Sequence, residues 1–338
     1  MPNRCQEKSR FDMKTLIPFT DRHIPCIVSL SKTVRGKIVD KQDFDIFGLG
    51  QCSLDYIGTI SDFPLADEKC EFLHMKIQGG GPVATALAAL SRWGLTCAFC
   101  GVVGDDSFGD AIRNSLLQEK INTQGLLIRK GSESQFAFVA CEPGRGRRTI
   151  FWRRPTGPPP HPDEIDYGAI RRSKVLHTDG LFMDAALQAC MFARENGIPV
   201  VVDAGTLREG MLDIARLSDY FISSETFAAT LVGKDDPVQA CERLLRLGPR
   251  VAAVTLGSRG YIAAHNGKVM KNPAYPVAAI DTTGCGDVFH AGFIYGLIRR
   301  WNMEKCFDCA AWSAAQVSLR IGGREGIPTL GEMHMQGY

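Results

Sequence analysis

The sequence of 338 residues has no stretch close to the ~18 consecutive apolar residues that a membrane span needs, and no charged-then-apolar signal pattern at its N-terminus. It also has little net charge, +2 at pH 7, because Lys and Arg are mixed with Asp and Glu. Neither a nucleic acid nor a membrane is therefore expected as a partner. We expect a cytoplasmic protein that binds a small molecule.

The phosphate loop GxxxxGK[ST] is also missing, since Gly233-Lys234 is followed by Asp235. Two glycine-rich segments, residues 48–53 and 79–84, resemble dinucleotide-binding turns. Neither lies in a compact βαβ unit with an acidic residue to hold a ribose. A nicotinamide-dependent oxidoreductase is therefore a disfavoured alternative.

Cysteine is plentiful, with twelve residues, and two CxxC pairs have a spacing that zinc and redox sites use. Cys97 and Cys100 fall in an apolar run typical of a strand, where residues three apart point to opposite faces. Cys306 and Cys309 can share a helical face, but they lie about two hundred residues from the first pair, too far for a common zinc ribbon. We expect reduced, buried thiols.

Apolar runs and helical stretches alternate from residue 44 onward. We predict strands at 44–49, 96–103, 175–177, 198–202, 220–222 and 251–256, and helices at 83–93, 108–119, 185–196, 226–231, 237–247, 285–300 and 304–320. This alternation is typical of a parallel sheet covered by helices on both faces. The predicted organisation is a poorly ordered extension over 1–42, one domain over 43–332 and a tail over 333–338.

Two segments, near 54–77 and 134–153, do not fit this alternation and resemble antiparallel strands. A small sheet built from two insertions would form a lid over the carboxyl edge of the main sheet. Ligands of such folds usually bind at that edge.

The most informative motif is Asp281-Thr-Thr-Gly-Cys-Gly-Asp287, which leads into an apolar helical run. Gly284 and Gly286 remove side chains where a backbone must approach a ligand, and a helix N-terminus favours an anion. Asp287, in the first turn, can take a proton from a nucleophile that attacks phosphorus. The alternative is that Asp287 only complements the helix dipole and the glycines shape an ordinary turn.

Asp55 follows the first predicted strand, where a carboxylate can accept hydrogen bonds from sugar hydroxyls. Gly80 and Gly81 open the next helix and leave room for a polyol. A single acidic residue is more often an ordinary surface residue. The prediction of an acceptor site at Asp55 therefore depends on the nearby glycine pair.

Taken in order, these motifs resemble the ribokinase (PfkB) family of carbohydrate kinases over about residues 44–330. They are Asp55, Gly80-Gly81-Pro82, Gly104-Asp105-Asp106-Ser-Phe-Gly109, Thr255-Leu-Gly257-Ser-Arg-Gly260, the segment 281–287 and Gly322-Gly323-Arg324-Glu-Gly-Ile-Pro328. The resemblance implies a ribokinase-like three-layer α/β sandwich, with a mostly parallel central sheet and a small β lid. It also implies ATP-dependent transfer of a phosphoryl group to a sugar or nucleoside hydroxyl.

The resemblance further implies roles for single residues. Asp287 would be the base, and the amides of Gly284, Cys285 and Gly286 would form an anion hole. The nucleotide would be flanked by Thr255, Gly257 and Gly260, and the acceptor held by Asp55, Gly80 and Gly81. Mg²⁺ would accompany ATP, and Asp281 and Thr283 are candidate ligands of a potassium ion.

Three departures from the family pattern affect these roles. Thr85 stands where the family has an Asn after the glycine pair, and Cys285 replaces the usual Ala. The Asn-x-x-Glu motif is replaced by Ser224 and Phe227, so Glu225 either substitutes as a metal ligand or caps a helix.

Five arginines cluster in the predicted lid: Arg145, Arg147, Arg148, Arg153 and Arg154. Such a run is usually solvated surface. The alternative is that one or two of them, Arg153 among them, bind an anionic acceptor such as a sugar phosphate, sulfonate or sugar acid.

We therefore expect a sugar kinase that uses ATP and Mg²⁺ and forms a homodimer through its lid, because an exposed small sheet has edges and an apolar face to cover. A catalytically silent sugar- or nucleotide-binding protein of the same fold is one alternative. A nucleoside kinase is another.

Overall fold

The computed structural model describes residues 43–143 and 147–338, so the expected extension 1–42 and Arg145 lie outside the described residues. Within these ranges the strands are β1 (Phe44–Leu49), β2 (Ser53–Thr59), β3 (His74–Gly80), β4 (Cys97–Gly104), β5 (Asn122–Arg129), β6 (Phe136–Glu142), β7 (Arg147–Arg153), β8 (Ser173–Thr178), β9 (Val200–Ala204), β10 (Tyr220–Ser224), β11 (Val251–Thr255), β12 (Tyr261–His265) and β13 (Lys268–Asn272). The helices are α1 (Pro82–Arg92), α2 (Ser107–Gln118), α3 (Tyr167–Arg171), α4 (Met183–Glu195), α5 (Met211–Leu217), α6 (Glu225–Val232), α7 (Pro237–Leu245), α8 (Cys285–Ile298), α9 (Met303–Val317) and α10 (Leu330–Met335).

The larger sheet has the strand order β13-β12-β11-β10-β9-β8-β1-β4-β5. Strands β11 to β5 in this order pair in parallel, while β12 and β13 add an antiparallel edge. Its central strands are apolar and buried, as parallel strands covered on both faces must be. The carboxyl ends of the parallel strands meet at one edge, where their following loops come together.

Helices cover both faces of this sheet and make two separate cores. One core contains side chains of α1, α2, α8, α9 and α10, and the other contains side chains of α3 to α7. Cys97 lies in the first core and Cys100 in the second, as the alternation of strand residues predicts. The result is the predicted three-layer α/β sandwich.

The smaller sheet has the order β3-β2-β6-β7 and forms the predicted lid. Strands β2 and β3 pair antiparallel, and so do β6 and β7, but β2 and β6 pair in parallel. Each predicted segment is thus a hairpin of two antiparallel strands, as expected, and the two hairpins join through the parallel pair of β2 and β6. We call the lid face that carries Asp55, Ala137 and Trp152 the inner face, since these residues are register partners.

Several elements have no counterpart in the sequence prediction. Strand β13 has the exposed pattern of a solvated edge, without the apolar run that marks a buried strand. The boundary expected at residue 332 lies inside α10, and Met333 is fully buried. The predicted tail 333–338 therefore belongs to the packed domain.

Candidate active site

The segment 281–287 is folded by the buried carboxylate of Asp281. Its Oδ1 accepts hydrogen bonds from the Thr283 amide (2.9 Å) and hydroxyl (2.7 Å), and its Oδ2 accepts one from the Gly322 amide (2.8 Å). Because both oxygens already have donors, Asp281 ties the segment to the C-terminal loop. A cation at this point would have to share these oxygens.

Gly284 caps helix α8 and has a positive φ of 76°. A Cβ atom there would lie 2.4 Å from the Gly323 Cα, so only glycine lets the two loops approach so closely. At Gly286 a Cβ would meet open space instead. The start of α8 is therefore packed on one side and open on the other, where its free N–H groups can bind an anion.

Asp287 lies half-buried in the first turn of α8. Burial raises the pKa of Asp287 well above its ordinary value, the charges of Asp203 and Asp55 raise it further, and Arg148 and Arg324 oppose the shift. Asp287 and Asp55, from opposite ends of the chain, therefore share one site. A carboxylate with a raised pKa is better matched to taking a hydroxyl proton near neutral pH than an ordinary one.

Asp55 is buried in lid strand β2, where its Oδ1 accepts a hydrogen bond from the Ser53 hydroxyl (2.6 Å). A Cβ at Gly80 would lie 1.9 Å from the Asp55 Oδ2, and one at Gly81 would lie 2.4 Å from the Gln51 carbonyl oxygen. Gly80 is thus needed for the close approach of Asp55, and Gly81 for the close approach of the backbone before β2. The structure brings these three predicted acceptor residues together.

Helix α1 starts at this glycine pair, with Pro82 in its first turn and Gly81 as its cap at a φ of 93°. Thr85, which follows in the next turn, is buried.

The predicted nucleotide segment follows β11 along the same sheet edge. Thr255 ends that strand, and residues Gly257–Arg259 form one turn of 3₁₀ helix. A Cβ at Gly260 would lie 2.0 Å from the Asn272 carbonyl oxygen, whereas one at Gly257 would meet open space. Gly260 therefore serves the packing of this turn, and Gly257 is the glycine left open to a ligand.

Glu225 begins helix α6 beside this turn and forms an exposed ion pair with Arg259. Ser224 caps α6 by accepting a hydrogen bond from the Phe227 amide (3.0 Å), and it donates one to the Gly205 carbonyl (2.7 Å). Phe227 is buried in the core. Of the residues around the altered Asn-x-x-Glu motif, only Glu225 has a carboxylate at the sheet edge.

The lid arginines divide between the two faces of the sheet. Arg153 pairs in register with Phe136, on the face opposite Asp55, and forms an ion pair with Glu133 (2.7 Å). This placement corrects the choice of Arg153 as an acceptor ligand. Arg148 instead pairs in register with Cys141 on the inner face, and its guanidinium donates a hydrogen bond to the Thr282 hydroxyl.

The sequence analysis named Arg148 only within the arginine cluster and Arg324 only within the closing motif, and it missed Asp203. Asp203 lies near the carboxyl end of β9, and its Oδ2 is 3.5 Å from the His290 Nδ1. An acidic residue at that end of a parallel strand is a signal the sequence does contain. Arg324, in the closing glycine-rich motif, is buried and donates a hydrogen bond to the Ser115 hydroxyl (2.9 Å).

Metal clusters and membrane helices are not found in the described ranges. No group of three or more His, Cys, Asp or Glu side chains in residues 43–143 and 147–338 has metal-binding geometry. A magnesium ion held mainly by phosphates and water needs no such cluster. The helices of these same ranges are all too short or too polar to span a bilayer.

The fold is a three-layer α/β sandwich, and one edge of its sheet carries an open helix start close to the carboxylates of Asp55 and Asp287. The family model described as pfkB family carbohydrate kinase matches residues 44–330. The chain therefore belongs to this family, and it is a sugar kinase.

Named relatives agree with this assignment. The chain is 26% identical to fructokinase-2 of Zea mays over 312 residues, which cover 84% of this chain and 90% of that protein. It is 27% identical to ribokinase of Haemophilus influenzae over 298 residues, 83% of this chain and 94% of that protein. It is 25% identical to 5-dehydro-2-deoxygluconokinase of Clostridium perfringens over 314 residues, 86% of this chain and 92% of that protein.

Solved structures share the ribokinase-like fold. Arabidopsis thaliana ribokinase, complexed with ribose and ATP, has a TM-score of 0.74 at 21% identity, covering 88% of this chain and 100% of that one. An Escherichia coli protein in complex with ATP and Mg²⁺ has a TM-score of 0.72 at 21% identity, covering 86% of this chain and 98% of that one.

Proposed function

We propose that this kinase transfers the γ-phosphoryl group of ATP to a hydroxyl of a sugar or sugar derivative, with Asp287 as the base. The observation that carries the proposal is the position of Asp287. It lies in the first turn of α8, beside an open helix start and within electrostatic reach of Asp55. Base, anion site and hydroxyl-binding carboxylate are thereby brought together.

In the reaction, the acceptor hydroxyl gives its proton to the Asp287 carboxylate while its oxygen attacks the γ-phosphorus. The bond from that phosphorus to the bridging oxygen breaks, and ADP leaves. The amides of Gly284, Cys285 and Gly286 stabilise charge on the transferring group. Asp55, Gly80 and Gly81 orient the acceptor, so that catalysis is mostly positioning and charge stabilisation.

The nucleotide is proposed to lie along Thr255, Gly257 and Gly260, because Gly257 faces open space at the same sheet edge. Magnesium bound to ATP would neutralise phosphate charge, and Glu225 would be its carboxylate partner in this proposal. The ion pair between Glu225 and Arg259 would have to break before Glu225 could take this role. A potassium ion at Asp281 and Thr283 stays a prediction.

The acceptor is either a neutral sugar or an anionic derivative. Two arginines support the anionic class: Arg154, which stacks on the Trp152 ring at 5.0 Å, and Arg208, after β9. Burial lowers the pKa of Arg208, Asp179 opposes this shift, and nearby Arg154 adds to it. A 5-dehydro-2-deoxygluconokinase among the similar proteins is in keeping with a sugar acid.

A catalytically silent binding protein is the second candidate. It is favoured by the use of Ser224 as a helix cap and of Phe227 as a core residue where the family pattern has Asn and Glu. The kinase and the silent binding protein are both expected to bind sugar or nucleotide, but only the kinase is expected to turn substrate over.

The test is product mass and ATP consumption with Mg²⁺ over neutral sugars, nucleosides, sugar phosphates, sulfonates and sugar acids. We expect one class to gain a phosphoryl group, and Asp287→Asn to lower kcat about 10²–10⁴-fold. Asp184→Asn is the matched control, because Asp184 is an exposed acidic residue in the first turn of α4. If both variants keep full turnover, Asp287 only complements a helix dipole. Heat stabilisation by ATP without turnover on any acceptor would favour the silent binding protein.

A homodimer through the lid and a cytoplasmic location remain proposals. The dimer is supported by the apolar outer face of the lid, where Phe151 is exposed. Free, buried thiols such as those of Cys97 and Cys190 are in keeping with a reducing compartment.

A further inference from the structure

Arg148 is a lid side chain that contacts the segment 281–287. It lies on the inner face of β7, opposite Cys141, and donates a hydrogen bond to the hydroxyl of Thr282. Thr282 is two residues before Gly284, the cap of α8. The contact therefore places a guanidinium from the lid against the loop that starts the anion-binding helix.

The charge of Arg148 is exposed and directed at this loop. Its ordinary partners would be carboxylates, but it forms no ion pair with any other residue of the described ranges, and it contacts a neutral hydroxyl instead. Its charge reaches the first turn of α8, since it lowers the pKa of the Asp287 carboxyl and the Cys285 thiol against the larger effect of burial. A guanidinium with one of its five donors engaged keeps a planar fork free for an oxyanion.

The anion hole in the proposed reaction otherwise consists of backbone amides. A transferring phosphoryl group spreads negative charge over three equatorial oxygens, and a positive charge aimed at them lowers the barrier more than neutral donors do. Arg148 reaches the loop before α8 from lid strand β7, whereas Arg324 is buried and donates a hydrogen bond to the Ser115 hydroxyl.

We propose that Arg148 is a catalytic residue whose guanidinium binds the equatorial oxygens of the transferring phosphoryl group, with Thr282 as the positioning residue that holds it there. This inference rests on the proposed kinase function. It adds a second task to the lid, which then covers the acceptor and also supplies charge to the reaction.

The chain contains a matched control for this proposal. Arg147 is the neighbouring residue of the same strand, but it lies on the outer face, where it donates a hydrogen bond to Glu142 (3.2 Å). Arg147→Ala and Arg148→Ala thus remove the same charge from opposite faces of β7. Both side chains are exposed, so both variants are expected to fold, which thermal unfolding would check.

We expect Arg148→Ala to lower kcat about 10³-fold, with the ATP Kd and acceptor KM changed only a few-fold, because the contact forms in the transition state. Arg147→Ala is expected to stay within twofold of wild type. Arg148→Lys should keep the charge but lose the planar fork, and give an intermediate kcat. Free guanidinium ion added to Arg148→Ala should restore part of kcat, and it should do nothing for Asp287→Asn.

The role of Thr282 is tested by a double-mutant cycle. Thr282→Val should lower kcat in the wild-type background and have little further effect in Arg148→Ala, because the two residues act as a unit. A wild-type chain without turnover on any acceptor overturns the kinase proposal and this one together. An active wild type with Arg148→Ala equal to Arg147→Ala, or changed only in acceptor KM, overturns this inference alone.

Discussion

Asp287 lies within electrostatic reach of two other carboxylates, those of Asp55 and Asp203. Like charges at this range disfavour ionisation, as does burial, so each neighbouring acid makes Asp287 a stronger base. Arg148 and Arg324 limit this effect. The pKa of Asp287 is thus set by the balance of charges that two lid strands, strand β9 and the C-terminal loop bring to it.

This balance predicts the pH dependence of turnover. Because the charge of Asp203 raises the pKa of Asp287, Asp203→Asn should lower that pKa. A base acts only when ionised, so kcat/KM rises with pH through this pKa, and its acid limb should move to lower pH in the variant. The measurement is the pH profile of kcat/KM for both proteins. Asp213→Asn, at an exposed residue on α5, serves as control, and an unmoved limb in Asp203→Asn would show that Asp203 does not act on the base.

Sequence reasoning found the residues whose position depends on local chain geometry. The segment 281–287 indicates a helix start, and so does the pair Gly80 and Gly81 before Pro82. The choice between Arg148 and Arg153 also required knowledge of the sheet pairing. These two residues are an odd number of positions apart in one strand, so their side chains lie on opposite faces. Which face covers the site is decided by the pairing of β6 with β2, and a single strand carries no signal of its partner.

Elements with a buried apolar run were the ones that the sequence identified. Strand β11 and helix α8 are buried along most of their length, so hydrophobicity marks them clearly. Strand β7 is exposed throughout, and only its position in a non-alternating segment suggested a strand. The parallel pairing of β2 with β6 was missed for a related reason, since register between insertions is set by tertiary contacts.

The outer face of the lid leads to a prediction about assembly. On this face the rings of Phe63 and Phe151 stack with centroids 6.4 Å apart, and those of Phe72 and Phe138 meet edge to face at 5.2 Å. Phe151→Asp would place an unpaired carboxylate in the proposed interface, which is costly, so a dimer should dissociate. The measurement is molar mass by light scattering over a range of protein concentrations.

The adjacent residue provides the control for this experiment. Trp152 is 53% exposed and Phe151 is 52% exposed, but Trp152 lies on the inner face. Trp152→Asp should therefore leave the molar mass unchanged while it alters acceptor KM. A monomeric wild-type protein, or equal masses for both variants, would contradict a dimer formed through the lid.

At the scale of the whole molecule, the family match over residues 44–330 ends where the last helix begins. The segment beyond it is nevertheless part of the fold. Tyr338 donates a hydrogen bond to the Asp308 carboxylate (2.7 Å), and its ring lies 5.5 Å from that of Trp312. Residues 333–338 are thus held by packing contacts and contain no catalytic motif. For this reason the sequence analysis predicted a tail there.

Two methionines of helix α10 allow a test of whether this C-terminal packing stabilises the domain. Met333 is fully buried and accepts a weak hydrogen bond from the Ser313 hydroxyl (3.6 Å), whereas Met335 is 83% exposed. Met333→Ala leaves a cavity in the core and should lower the free energy of unfolding by about 2–5 kcal/mol. Met335→Ala should change it by less than about 0.5 kcal/mol. Urea unfolding measures both, and a chain ending at residue 332 should lose at least as much stability as Met333→Ala. If that shortened chain unfolds at the wild-type midpoint, residues 333–338 are a tail after all, and the packing of Met333 and Tyr338 contributes nothing to the stability of the domain.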